Sequence, residues 1–260
     1  MQKRIRIAID DGHGMETAGK RTPAFADGSV MRENEFNRAV AAYLQEALEA
    51  HGFDTLPVAP GDDDVPLKNR VTLANESYAD AYISIHANAF GTGWNGANGI
   101  ETWIYEKVMG DSETYRLAKH IHDALLAATG RANRGIRRSH DLYVLKNTRM
   151  HAVLVECGFM TNAEEAVLLL SESYRRDCAA AICRGICDFY GVEYHGRKER
   201  RMQEKRFQTA AEVPGWAGGL IAEMQAAHCF GKAEEMNLSE DMLRTMVLMD
   251  RLLRAREERK

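Results

Sequence analysis

Apolar and polar residues alternate over 4–10, RIRIAID, in the period-two pattern of a half-buried strand, and the run passes straight into the turn-forming DGHG. From 33 to 51 the period lengthens. Phe36, Val40, Tyr43, Leu44, Ala47 and Leu48 recur at helical spacing, and Gly52 supplies a stop. The same reading gives a strand over 53–58, a helix over 67–75, strands over 81–86 and 99–106, and an amphipathic helix over 112–130 that closes on glycine. Two short apolar runs, 142–145 and 152–157, read as strands. Thr161 and Glu164 have the spacing of a capping box ahead of a helix, and a further helix covers 174–190. Strands interleaved with helices predict an α/β fold: a mixed, largely parallel sheet with helices on both faces.

The pattern changes after Val192. Six Lys/Arg fall within 195–206 without apolar periodicity, which reads as a solvated basic linker over 193–206. The remainder, 207–260, is expected to be a small α-helical appendage with helices over 216–228 and 240–256. Ser239 is placed to cap the second, with Glu240 and Asp241 in its first turn. Met242, Met246, Met249 and Leu253 form one stripe on it, the pattern of a core or self-association face. The expected organisation is therefore a main domain over 1–192, the linker, and the helical unit.

Composition narrows the partners. The 260 residues are 45% hydrophobic and 28% charged, and a net charge of -4 gives no sign of a nucleic-acid partner. No apolar run reaches the length of a membrane span. The opening MQKRIRIAIDDGHG has too few apolar residues before its aspartates for a secretory signal peptide, so the chain is expected to stay in the cytoplasm until something releases it. Five cysteines, an odd number with no C-x-x-C pair, argue against a disulfide framework. Cys183 and Cys187 lie one turn apart, a spacing that suits a metal pair, but buried thiols are the expected reading.

Candidate chemistry gathers where strands end. In open α/β sheets, ligands bind beyond the carboxyl ends of the strands. His13 follows the first strand, His86 closes 81–86, and Glu156 follows four apolar residues. A catalytic zinc uses three nitrogen or oxygen ligands and keeps a fourth position open. His13 and His86 supply two imidazoles, each of which alone could be a packed core histidine. The third donor is best sought in GSVMRENEFN, where Glu33 begins a helix and Glu35 competes with it. Glu156 has a less comfortable structural reading, because a buried carboxylate without a partner is costly. Poor solvation would raise its pKa toward neutrality, as a general base requires.

Seven segments in order carry a resemblance: IAIDDGHG, RENEFN, DVPLKNRVTLAN, ADAYISIHANA, ANGIETWIY, NRGIRR and LYVLKNTRMHAVLVECGFMTNAEEAVLL. Together, across residues 4–191, they resemble the zinc-dependent N-acetylmuramoyl-L-alanine amidases of the Amidase_3 type. The resemblance implies Zn2+ held by His13, Glu33 and His86, with Glu156 as the catalytic glutamate. It favours Glu33 over Glu35 because the family's ligand glutamate is followed four positions later by asparagine, matched by Asn37. Asn88, Arg70 and Arg134 fall in the same segments as substrate-contact candidates, with structural hydrogen bonding as the alternative for each. Two positions depart from the family: Asp11 and His151 stand where proline is usual or frequent.

The implied reaction is hydrolysis of the amide between the lactyl group of N-acetylmuramic acid and L-alanine in peptidoglycan. The alternatives are a silent peptidoglycan-binding or regulatory protein and a zinc peptidase acting on the stem peptide. Residues 211–253 loosely resemble S-layer-homology-like wall modules, which implies wall targeting; the alternative is a hairpin that docks on the main domain or pairs two chains into a homodimer. A wall-degrading domain without an export signal resembles phage endolysins, which reach the wall after holin release. A prophage-derived bacterial protein fits equally.

Overall fold

The computed structural model describes residues 4–196, 206, 207, 209–227, 238, 239, 242, 243, 246, 247 and 250. In chain order the elements are β1 (Arg6–Asp10), α1 (Glu33–Ala50), β2 (Asp54–Pro57), α2 (Leu67–Glu76), β3 (Ala81–Asn88), β4 (Ile100–Tyr105), α3 (Glu113–Thr129), β5 (Asn133–Ser139), α4 (Tyr143–Asn147), β6 (His151–Phe159), α5 (Ala163–Leu170) and α6 (Glu172–Tyr190). Six strands make one sheet in the order β2-β1-β3-β6-β4-β5. β1, β2, β3 and β6 run parallel; β4 joins β6 antiparallel, and β5 follows β4 in parallel. The expected mixed, largely parallel sheet is present.

Strand alternation separates two cores. Ile7, Ile9, Ala81, Ile83, Ile85, Val153 and Val155 face one side, where they pack with apolar residues of α1, α3 and α6. Ala8, Tyr82, Ala152 and Leu154 face the other and pack with Val71 and Ala74 of α2 and Val144 and Leu145 of α4. A sheet covered on both faces explains why these strands read as near-continuous apolar runs. On the second face the alternation carries on into polar residues: Asp10 after Ala8, Ser84 and His86 after Tyr82, Glu156 after Leu154. That change of character builds the site.

Several local expectations are corrected. Residues 142–145 enter a short helix, α4, rather than a strand; an apolar run this short carries no decisive period. β5 was missed because NRGIRRS is an exposed, arginine-rich edge strand, and edge strands need no apolar alternation. The N-cap of α5 is Asn162, which accepts from the backbone of Glu164 and Glu165, while Thr161 accepts from Phe90 N–H. α6 starts at Glu172 under a Ser171 cap, ahead of the expected 174.

In the tail, β7 (Arg206–Phe207) pairs antiparallel with β8 (Leu238–Ser239), and α7 covers Gly215–Ala226. Ser239 therefore sits in a strand instead of capping a helix. Phe207, Ala217, Ile221, Leu238, Leu243 and Val247 form their own apolar cluster. The buried positions are Leu243 and Val247, one place on from the expected methionine stripe: Met242 is exposed, Met246 is partly buried, and Met249 and Leu253 lie outside the described residues. Residues 197–205, most of the expected linker, also lie outside them.

Candidate metal centre and catalytic glutamate

β1, β3 and β6 are neighbours in the sheet, so their carboxyl ends bring three distant segments together. His86 and Glu156 lie directly opposite each other in register. The β1 end turns through Gly12 and His13, both with positive φ, +33° and +59°. For a histidine this is a strained conformation, of the sort the surrounding structure must impose. The first turn of α1 imposes it: Asn34 Nδ2 donates to the carbonyls of Asp11, Gly12 and His13 at 3.1–3.2 Å, and Asn37 Nδ2 donates to that of Gly12 at 3.1 Å. Gly12 cannot be replaced cheaply, since a Cβ would stand 2.5 Å from the His86 ring.

The two glutamates of α1 point to different partners. The Glu35 carboxylate accepts from Arg32 N–H at 2.8 Å and caps the helix. Glu33 is buried, with Oε1 at 2.8 Å from His86 Nδ1 and Oε2 at 3.5 Å from His13 Nε2. One donor atom from each of His13, Glu33 and His86 lies within 4.8 Å of the others. The sequence expectation for these three positions thus meets at one point in space. The far nitrogen of His86 is 3.1 Å from Ser84 Oγ, which donates to Asp10 Oδ2 at 2.7 Å. Such a chain fixes the ring and its tautomer and presents Nδ1 inward.

Burial disfavours the charge on Glu33, but the hydrogen bond and charge of His86, with His13 adding, outweigh it and hold the carboxyl at about 2. Burial brings His13 down to about 4, so at neutral pH its ring is uncharged with a lone pair to offer. Burial pulls His86 down, but Glu33, with Glu156 and Asp10 adding, raises it above its ordinary value, so a proton and a metal compete for it. Glu156 is pushed up to about 8, above all by burial, and its Oε2 is buried without a hydrogen-bond partner. An orphaned buried carboxyl oxygen beside three converging donors points to a ligand that completes the site. Two imidazoles and a carboxylate are the donor set of a catalytic divalent transition metal.

Next to Glu156 across the β4–β6 ladder stands Glu101, a buried carboxylate that sequence reasoning missed. It holds Arg134 Nε at 2.7 Å, Asn88 Nδ2 at 3.0 Å and Trp103 Nε1 at 3.2 Å. Asn88 and Arg134 therefore gather at the same sheet edge as the metal donors, and both are partly open to solvent. The available signal for Glu101 was the one used for Glu156, a carboxylate interrupting the apolar run IETWIY. Lys20 was also missed; its Nζ is 3.9 Å from Glu33 Oε2.

Arg70 does not fit a substrate-contact role. It is 1% exposed, its guanidinium taken by Asp10 at 2.7 Å, Asp64 at 2.9 Å and the Val65 carbonyl at 2.7 Å. It supports the Asp10–Ser84–His86 chain from behind. Of the two departures, His151 opens β6 at the end away from Glu156, bonded to Thr114, and does not touch the donors. Asp11 is buried beside the turn; burial, then the charge of Asp10, raises its carboxyl to about 7.

Comparison with known proteins gives the family and the fold. The family described as N-acetylmuramoyl-L-alanine amidase matches residues 7–188. The protein YqiI of Bacillus subtilis is 36% identical over 186 residues, 71% of this chain and 84% of that protein. The endolysin of Bacillus phage SPP1 is 32% identical over 192 residues, 72% of this chain and 66% of that one. Among solved structures, an N-acetylmuramoyl-L-alanine amidase from Clostridium difficile 630 matches with a TM-score of 0.65 at 31% identity, covering 72% of this chain and 97% of that one. The chain belongs to the N-acetylmuramoyl-L-alanine amidase family.

Proposed function

We propose that the chain cuts the amide between the lactyl carbonyl of N-acetylmuramic acid and the L-alanine nitrogen of the peptidoglycan stem, and that it does so with zinc. One observation carries the reading: donor atoms of His13, Glu33 and His86 within 4.8 Å of one another, beside a buried glutamate with a free oxygen. These three side chains would hold the ion. Bound there, zinc supplies Lewis acidity, which lowers the pKa of water and draws charge from the scissile carbonyl.

The chain's own residues do the remaining work. Glu156 Oε2 takes a proton from the attacking water and delivers it to the departing nitrogen, so L-alanine leaves as an amine. Its elevated pKa suits both duties, since a carboxyl that titrates near neutrality can hold the proton between the two steps. Ser84, Asp10 and Arg70 keep the His86 ring turned toward Glu33. Asn88 and Arg134, fixed by Glu101, position the substrate at the sheet edge. The unit beyond residue 206, which has an apolar cluster of its own, carries the enzyme to the wall.

The test pairs metal analysis with product analysis on purified peptidoglycan. About one zinc at the His13–Glu33–His86 centre and release of stem peptides with free L-alanine amino ends support the reading. Glu156→Gln should keep that zinc and lose on the order of 10²–10⁴-fold in rate. New amino ends on other stem residues would mean a peptidase. No release from zinc-supplied wild type would leave a binding protein.

A further inference from the structure

At the opposite end of α1 a second group of metal-capable side chains converges. His51 follows the last residue of α1, and Cys183 and Cys187 lie one turn apart on α6, both buried. One donor atom from each lies within 4.8 Å of the others, and Cys183 Sγ is 3.8 Å from His51 Nδ1. Tetrahedral zinc, at about 2.3 Å from sulfur and about 2.0 Å from nitrogen, sets its ligand atoms about 3.5–3.8 Å apart. The pair Cys183 Sγ and His51 Nδ1 is within a few tenths of an ångström of that spacing, and the rest lie within 4.8 Å. Along α1 the group stands roughly 27 Å from Glu33, at 1.5 Å per residue, so it is separate from the catalytic centre.

We propose that His51, Cys183 and Cys187 form a second, structural site for a thiophilic divalent cation such as zinc. The surroundings of His51 offer a hydrogen-bond partner to Nε2 in either tautomer. Its Nδ1 bonds the Ala47 carbonyl at 2.7 Å, while Nε2 lies 3.1 Å from the backbone N–H of His195 and 3.2 Å from the His195 carbonyl. Without metal, Nδ1–H donates to Ala47 and Nε2 accepts from His195 N–H. With metal on Nδ1, the bond to the Ala47 carbonyl is given up as the ring turns toward the thiols, and the proton moves to Nε2 and is donated to the His195 carbonyl, the usual outer bond of a ligating histidine. Tyr194 stacks on the imidazole at 5.1 Å, interplanar angle 4°, and holds its plane. The two thiols are already hydrogen-bonded: Cys183 donates, which lowers the Cys187 thiol and raises its own. A cation displaces both thiol protons. The site then ties the ends of α1 and α6 to the segment leaving for the tail.

Cobalt substitution separates this site from the catalytic one, because only thiolate ligands give a sulfur-to-cobalt charge-transfer band in the near ultraviolet. Cobalt titration of the reduced full-length chain should produce that band, with two metals bound per chain. Cys183→Ser/Cys187→Ser should abolish the band and bind one. His51→Gln, which keeps both sulfurs, should weaken cobalt binding at the band at least tenfold and covers the case in which the double variant fails to fold. Glu33→Gln should leave the band in place even if it abolishes hydrolysis, so failure of either reading is seen independently. Absence of the band with titratable thiols, its persistence in the double variant, or a disulfide between the two cysteines overturns the proposal.

Discussion

Arg70 carries its charge into the core to serve Asp10, and Asp10 to serve His86. Burial raises the Asp10 carboxyl, but Arg70, His86 and Ser84 together lower it below the usual range. Arg70→Met would leave that carboxylate buried with only Tyr82 and Ser84, and breaking a buried pair costs about 3–5 kcal/mol. Urea unfolding should show the loss; a purely substrate-binding Arg70 would raise KM and leave the midpoint alone. Asp11 gives the opposite pH signature. Its folded pKa of about 7 lies above the roughly 3.9 of an unfolded aspartate, so the folded state holds a proton that the unfolded state has released. Stability from this group is full below about 4 and falls as pH rises toward 7. In protein stripped by chelation, Asp11→Asn should therefore gain in Tm over wild type at pH 8 relative to pH 5. A constant gap would place the carboxyl's titration outside that window. His86 and Glu156 were legible in the sequence because each ends or interrupts an apolar run, and His13 because it follows a strand; Glu33 lies in a polar stretch and was separated from Glu35 only by the family resemblance. Arg70 was not legible, because its family segment places it on α2 without telling which way that face turns.

α1 links the two ends of the molecule. Its first turn supplies Glu33, the Glu35 cap, and the amides of Asn34 and Asn37 that clamp the β1 turn; its last residues lead to His51. Because the positive φ of His13 is held from this helix, Asn34→Ala should release the turn while leaving all three donors in place. Loss of such an outer-shell support typically costs 10–100-fold in metal affinity. Competition against a chelator measures it, and circular dichroism confirms that the helix persists. Unchanged affinity would mean the turn is held by Asn37 and Gly12 alone. Elements with a strong period, α1, α3 and the central strands, were readable from the chain. α4 and β5 were not: one is a four-residue apolar run of ambiguous period, the other a charged edge whose place depends on pairing with β4.

The sheet and the tail have separate apolar cores. All donors, Glu156 and the Glu101 cluster lie within the region matched by the family, whereas the apolar cluster of Phe207, Ile221, Leu238 and Leu243 is built entirely from residues beyond it. A unit with its own small core is marginal by itself, and attachment to a larger domain or to a partner surface offsets that weakness. Among the described residues no helix is long and apolar enough to cross a membrane. Ending the chain after Gly196 keeps His51, Tyr194, His195 and every catalytic side chain, and removes the ribbon and α7. The shortened protein should hydrolyse soluble muropeptides with the kcat/KM of the full chain and sediment poorly with intact sacculi. Equal sedimentation would move wall recognition onto the catalytic face. A halved mass in ultracentrifugation, beyond what the deletion removes, would show that the tail instead pairs two chains.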